Sequence, residues 1–114
     1  MGYYYSLLEW KHPLYSGKTI GRYALEHMIP QMKELVENYR PDLLFADGDW
    51  DFKSVWYKST TFLQWLYNES PVKDTILVND RWGKETRGVH GGYFTTEYEL
   101  MYFLIYYLFL CLLR

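Results

Sequence analysis

Residues 42–51 read DLLFADGDWD, a short apolar run that ends directly in three alternating carboxylates. A run of this kind is typical of a strand that is buried on both faces, as the strands of parallel sheets are. Two similar runs flank it, because residues 2–8 read GYYYSLL and residues 75–78 read TILV. We therefore predict three short strands, each followed by polar residues.

Two helical patterns lie between these strands. The first follows Thr19, a candidate N-cap, and carries apolar residues three and four positions apart over residues 28–39. Pro30 lies inside this pattern, so the sequence predicts either a kink there or a helix that begins near Ile29. The second helix is predicted over residues 59–68, where apolar residues recur until a Ser-Pro pair.

The alternation of strands and helices predicts an α/β fold with a parallel sheet that helices cover. A fourth extended segment is predicted over residues 88–96. Parallel α/β folds carry their chemistry at the carboxyl ends of the strands. A closed (β/α)₈ barrel takes about 250 residues, so this chain is expected to form a partial TIM-barrel-like arc of about three βα units. The polar residues that follow the three strands are Ser6 and Glu9, then Asp47 and Asp49, then Asn79, Asp80 and Arg81.

Composition excludes several functional classes. Twelve basic and 14 acidic residues give a net charge of −2, which lacks the basic excess of nucleic-acid-binding proteins. One cysteine excludes an internal disulfide framework and a thiolate metal cage. The carboxylates of residues 47–51 begin like a calcium loop, but the obligatory Gly and Glu positions hold Phe52 and Lys58. We therefore predict no metal site.

Aromatic residues make up 21% of the chain, which suits either a groove for sugars or a thick aromatic core. A carboxylate at a strand end beside Trp50 fits glycoside hydrolysis. In that reaction one carboxylate attacks the anomeric carbon while a second acts as acid and then as base. The structural alternatives are a solvated Asp-Gly turn at Asp47 and, for Arg81, an ion pair with Asp80 or Asp49.

Five stretches of the chain carry distinctive motifs in a fixed order. They are GYYYSLLEW (2–10) with PLY (13–15), MIPQMKEL (28–35), YRPDLLFADGDW (39–50), FLQWLYNESPVKD (62–74), and VNDRWG (78–83) with HGGY (90–93). Together they resemble the α-L-fucosidase family of retaining glycoside hydrolases, and the resemblance covers residues 1–97.

This resemblance implies a catalytic (β/α)-barrel-like domain that hydrolyses terminal α-L-fucose from glycoproteins or other glycoconjugates by a retaining double displacement, without a cofactor. It implies Asp47 as the catalytic nucleophile and Arg81 and Tyr5 as substrate-binding residues, and we assign Trp50 a stacking role. The implied partner is a fucosylated glycan, and homo-oligomers are common in the family. The longer parent is expected to be lysosomal or secreted, although no signal peptide is visible after Met1.

The chain also departs from the family pattern. The acid/base Glu of the family follows a Trp, and no Trp-Glu pair occurs after Trp82. The family's fucose-binding histidines would lie upstream of Met1. The chain is therefore expected to be incomplete and inactive alone. The alternatives are a non-catalytic glycan-binding remnant and a membrane-associated truncated product.

The C-terminal residues differ from the rest of the chain. Residues 1–99 are assigned to the partial catalytic domain, and residues 100–114, LMYFLIYYLFLCLLR, are predicted to be an apolar tail foreign to it. A membrane-spanning helix needs about 20 apolar residues, and the uncharged stretch of residues 100–113 is shorter than that. We therefore predict that the tail forms an atypical apolar helix. Membrane association is expected only through this tail.

Overall fold

The computed structural model describes residues 1–95 of the chain. In this part, strands and helices alternate as the sequence predicts, which confirms the α/β class. The elements in chain order are strand β1 (Gly2–Ser6), helix α1 (Ile20–Tyr23), a π-helical turn (Ala24–Met28), helix α2 (Ile29–Tyr39), strand β2 (Leu43–Asp47), helix α3 (Ser59–Asn68) and strand β3 (Leu77–Val78).

The three strands form one parallel sheet in the order β1-β2-β3. In the register of this sheet, Tyr4 lies opposite Phe45 and Ser6 lies opposite Asp47. The parallel sheet with helical crossovers was predicted and is confirmed. That it forms an arc of a barrel stays a prediction, because three strands do not determine how a sheet closes.

The two faces of the sheet are unlike. On the face that the helices cover, Leu44 and Ala46 are fully buried. On the opposite face, Tyr4 is 62% exposed and Leu77 is 52% exposed. The prediction that the strands are buried on both faces is therefore wrong for residues 1–95, since no element in this range covers the second face.

The helices begin where proline and apolar spacing place them. α2 starts at Ile29, with Pro30 in its first turn, as predicted. Pro30 has no N–H to donate to the preceding turn, and the helix is widened to π geometry just before it. Thr19 occupies the N-cap position of α1, but its hydroxyl donates to the Leu14 carbonyl. The predicted position of Thr19 as an N-cap is therefore confirmed, although its side chain makes no capping hydrogen bond.

The buried faces of the helices pack on the sheet in one core. α2 contributes Met32 and Val36, and α3 contributes Phe62 and Leu66, all of them fully buried. The predicted bounds of α3, residues 59–68, are confirmed.

The predicted fourth extended segment is not a strand over residues 88–95. The N–H groups of Gly92 and Tyr93 both donate to the Val78 carbonyl, at 2.9 and 3.2 Å. A Cβ on Gly91 would lie 2.7 Å from the Asp80 Cα. The glycines therefore allow a close crossing of backbones, which replaces a regular ladder.

The predicted apolar tail and the domain boundary at residue 99 lie outside the described residues. Among residues 1–95, no helix is long and apolar enough to cross a membrane.

Candidate active site

Residues of β1, of β2 and of the segment that follows β3 meet at Asp47. Arg81 follows β3, and its Nη1 donates to Asp47 Oδ1 at 2.8 Å. The Tyr4 hydroxyl, on β1, donates to Asp47 Oδ2 at 2.8 Å. Both oxygens of one carboxylate are thus held at the carboxyl edge of the sheet, where parallel α/β folds carry their chemistry.

The Asp47 carboxyl group is kept ionised by these contacts. Its partial burial acts to raise the pKa. The hydrogen bonds from Arg81 and Tyr4, a backbone hydrogen bond from Gly48 and the charge of Arg81 outweigh that effect, so the pKa of Asp47 lies below its ordinary value. A carboxylate with a low pKa is in the form that a nucleophile needs.

Arg81 is only 4% exposed, and it is fixed from several sides. Its Nε donates to the Thr95 hydroxyl at 2.7 Å, and its guanidinium lies 5.3 Å from the centroid of the Phe45 ring. The buried Asp80 carboxylate accepts hydrogen bonds from the Thr95 and Gly88 N–H groups. Asp80 therefore anchors the segment that positions Arg81.

A buried amide fixes the spacing of the strand ends. Asn79 Nδ2 donates to the Ala46 carbonyl at 2.7 Å, and its Oδ1 accepts from the Ala46 N–H at 3.0 Å. Since β3 ends at Val78, the Asn79 side chain takes over the backbone pairing beside Asp47. Sequence reasoning identified Asn79 only as a polar residue after a strand and missed this role.

The three alternating carboxylates have three different partners. Asp49 is buried and accepts from Arg87, with 3.2 Å between Arg87 Nε and Asp49 Oδ2. Asp51 accepts from the indole N–H of Trp10 at 3.0 Å. The structure departs from both structural alternatives: Asp47 is not a free solvated turn residue, and the carboxylate that Arg81 Nη1 contacts is that of Asp47 rather than that of Asp80 or Asp49.

The prediction that Tyr5 lines the sugar pocket needs correction. Its hydroxyl donates to Gln31 Oε1 at 2.8 Å and to the Met28 carbonyl at 3.4 Å, on the face that the helices cover. Side chains alternate along a strand, so Tyr4 shares the face of Asp47 and Tyr5 does not. Tyr4 is thus the contact of Asp47 that sequence reasoning missed. Placing residues 2–6 in parallel register with residues 43–47 could have identified it, because Tyr4 then lies opposite Phe45, on the face of Asp47.

Trp50 lies three residues after Asp47, and its ring is 49% exposed. An exposed ring at this edge is available to a ligand, and the stacking role stays a prediction. Among the described residues, no group of three or more His, Cys, Asp or Glu side chains is arranged to hold a metal ion.

A cavity of about 440 Å³ opens elsewhere, beside α3, and its lining includes Leu63, Tyr67 and Trp82. Neither Asp47 nor Arg81 lines this cavity. The candidate site at the carboxyl edge of the sheet is therefore separate from this cavity.

An ionised carboxylate at the carboxyl edge of a parallel sheet lies where (β/α) folds carry their chemistry, and it is one of the two carboxyl groups that a glycoside hydrolase needs. Comparison with known proteins gives the particular group. The family model described as alpha-L-fucosidase matches residues 1–105, and the chain belongs to this family.

Relatives of the chain carry the same description. It is 46% identical over 101 residues to the tissue alpha-L-fucosidase of Homo sapiens, which covers 84% of this chain and 22% of that protein. It is 50% identical over 102 residues to the alpha-L-fucosidase of Dictyostelium discoideum, with 83% and 22% covered. The plasma alpha-L-fucosidase of Rattus norvegicus is 46% identical over 99 residues, with 82% and 22% covered. The chain thus spans about a fifth of the length of the curated relatives it matches.

Proposed function

We propose that this chain carries the nucleophile and part of the sugar pocket of an enzyme that hydrolyses terminal α-L-fucose from glycoproteins or other glycoconjugates. The observation that carries the proposal is the ionised Asp47, whose two oxygens are held by Arg81 and Tyr4. The names of the relatives support fucose as the sugar.

The proposed reaction is a double displacement with retention. Asp47 attacks the anomeric carbon of fucose and forms an ester, while the bond to the leaving oxygen breaks. Water then attacks the same carbon, the ester bond breaks, and the carboxylate returns. Arg81 and Tyr4 fix the orientation of the attacking carboxylate, and the family resemblance implies that Arg81 also contacts the sugar. Trp50 stacks against the sugar ring.

A second carboxyl group is needed to protonate the leaving oxygen and later to remove a proton from water. We propose that the chain alone does not supply it, since no Trp-Glu pair follows Trp82 and the buried Asp49 is paired with Arg87. The isolated chain is therefore inactive in turnover.

Covalent labelling tests the nucleophile without the missing acid. A 2-deoxy-2-fluoro-α-L-fucosyl fluoride has a leaving group that departs without protonation, and its 2-fluorine slows hydrolysis of the ester. Intact-mass spectrometry should show one fucosyl adduct, and peptide mapping should place it on Asp47. Asp74→Asn, a control at an exposed aspartate, should be labelled equally. An unlabelled wild-type chain, or an adduct that persists in Asp47→Asn, would contradict the proposal.

The second candidate function is a non-catalytic glycan-binding module. It is favoured by the exposed rings of Trp10 and Trp50, which follow neighbouring strands at one edge of the sheet. Weak fucose binding that survives Asp47→Asn, with no labelling of the wild-type chain, would support this function.

We also propose that the longer enzyme is lysosomal or secreted, and that its partner is a fucosylated glycan. The names of the tissue and plasma relatives support the location. Homo-oligomerisation is proposed from the family resemblance alone.

A further inference from the structure

The loop that follows β1 packs alongside the loop that follows β2. The Leu7 N–H donates to the Asp47 carbonyl at 2.8 Å. One residue further, the Leu8 side chain fills the space beside Gly48, where a Cβ would lie 2.4 Å from the Leu8 Cγ. Gly48 has a φ of +85°, which also favours glycine. The two loops therefore lie side by side in the segments next to Asp47.

Trp10 lies on the loop after β1, and the Asp51 carboxylate on the loop after β2 contacts it. Its indole N–H donates to Asp51 Oδ2 at 3.0 Å, and the same oxygen accepts from the Tyr15 hydroxyl at 2.9 Å. The Tyr15 and Tyr57 hydroxyls lie 2.9 Å apart, and the Tyr57 hydroxyl oxygen lies 3.2 Å from the Gly48 carbonyl oxygen. A series of polar contacts thus runs from the indole to the residue after the nucleophile.

The orientation of the Trp10 side chain is fixed although 70% of it is exposed. An exposed tryptophan that packs on nothing ordinarily loses rotamer freedom when it binds a ligand. Here the hydrogen bond to Asp51 already limits that freedom, so less entropy is lost on binding. A flat apolar ring with a fixed polar edge suits the C–H face of a sugar.

The stereochemistry of the proposed reaction indicates which sugar of the substrate would contact Trp10. In a double displacement, the nucleophile attacks from the side opposite the leaving oxygen. The group attached to fucose therefore lies on the side of the sugar ring away from Asp47, and Trp10 is an exposed ring on the loop that packs beside the segment after Asp47. We propose that Trp10 is a platform for the sugar to which fucose is attached, so that the site prefers fucosylated oligosaccharides to fucose alone. This inference rests on the proposed function.

The test is a titration of the full ¹⁵N-labelled chain with L-fucose and with the disaccharide α-L-fucosyl-(1→2)-galactose, followed by NMR. The disaccharide is expected to bind about five- to tenfold more tightly than fucose, as one aromatic contact allows. The Trp10 indole N–H signal, assigned with Trp10→Phe, should shift with the disaccharide and not with fucose.

Variants separate the platform from the fucose site. Trp10→Ala should abolish the preference while the fucose affinity stays unchanged. Trp56→Ala, which removes another half-exposed tryptophan, should leave both affinities unchanged. Trp10→Phe keeps a ring and should keep part of the preference, which guards against a folding defect in the alanine variant.

Two results would overturn the platform while the proposed function stands: equal affinity of the wild-type chain for both sugars, or a preference that Trp10→Ala retains. If neither sugar binds the wild-type chain, the proposed function fails and the platform fails with it.

Discussion

Arg81 balances the charge of Asp47 where water reaches only part of the carboxylate. Its guanidinium is almost fully buried, so the ion pair is stronger than an exposed one and each partner depends on the other. This dependence makes the pair the residue-scale feature that a substitution disturbs first.

Arg81→Met is expected to raise the pKa of Asp47, because burial still disfavours the charged carboxylate and the contact with Arg81 that opposes this effect is gone. We expect a loss of about 2–3 kcal/mol in the free energy of unfolding at pH 7. Because the folded-state pKa of Asp47 is depressed, the stability it contributes is present above the unfolded pKa and is lost as the pH falls through the folded pKa. The loss caused by Arg81→Met should therefore shrink below about pH 4.

Urea unfolding between pH 2.5 and 7 measures this difference. Arg22→Met removes the exposed ion pair of Arg22 with Glu26 and should leave stability almost unchanged at every pH. A loss for Arg81→Met that is the same at pH 3 and pH 7 would show that the pair with Asp47 is not its cause.

Tyr4→Phe and Tyr5→Phe form a matched pair one residue apart. Tyr4→Phe removes a hydrogen bond to the ionised carboxylate and should raise the pKa of Asp47. Tyr5→Phe removes a hydrogen bond to Gln31 on the other face and should leave that pKa unchanged. Carboxyl ¹³C shifts in an NMR titration report both values, and a larger effect from Tyr5→Phe would refute the assignment of faces.

Asp47 and Arg81 were candidates because both lie in polar segments that follow apolar runs, and the family resemblance gave them their expected roles. The prediction named Tyr5, although the residues themselves give no basis for choosing between Tyr4 and Tyr5. Residues 3–5 are all tyrosine, so the alternation of polar and apolar residues that marks the faces of a strand is absent. Only the register of β1 against β2 settles which hydroxyl reaches the carboxylate.

At the scale of the elements, β3 is the weak member of the sheet, since it has two residues. The Asn79 side chain compensates by pairing with both backbone groups of Ala46. Asn79→Leu would leave a buried N–H and a buried carbonyl without these partners, at a loss of about 2–4 kcal/mol in unfolding free energy. Denaturant unfolding should show it, together with weaker labelling of Asp47.

Asn68→Leu is the control for this substitution. The Asn68 amide donates to the Gln64 carbonyl at an exposed helix end, where water can replace the bond. We expect a loss below about 1 kcal/mol. Equal losses in the two variants would mean that Asn79 does not act through the backbone of β2.

Helices were predicted better than the glycine-rich segment that follows β3. Apolar spacing and Pro30 are local signals, and they gave the start of α2 and both ends of α3. Residues 88–95 could not be predicted in the same way, because Gly91 and Gly92 serve a close crossing of Asp80 and Val78. Glycine in a strand and glycine at such a crossing look the same in the sequence.

For the whole molecule, the open sheet face is the feature that the sequence did not reveal. Strands of parallel sheets are ordinarily covered on both faces. An apolar strand has the same composition whether or not residues of the same chain cover its second face. The exposed ring of Tyr4 therefore marks a face for which residues 1–95 supply no cover.

The proposed function likewise assigns to this chain only part of the catalytic machinery. It therefore predicts that the chain alone carries out only the first half of the reaction, the formation of the fucosyl ester. If Asp47 is the nucleophile and the acid/base group is not supplied by this chain, as proposed above, the chain should form the fucosyl ester from an activated donor but should not activate water to break it. Steady release of 4-nitrophenol from 4-nitrophenyl α-L-fucoside should therefore not exceed that in buffer. Azide needs no base, so azide with α-L-fucosyl fluoride should give α-L-fucosyl azide as it attacks the carbon and displaces Asp47. Asp47→Ala should form no α-L-fucosyl azide, because azide that displaces the fluoride directly inverts the carbon and gives the β-anomer, whereas Asp74→Ala should behave as the wild type. Release of 4-nitrophenol that disappears in Asp47→Ala would show that the chain has its own acid/base group.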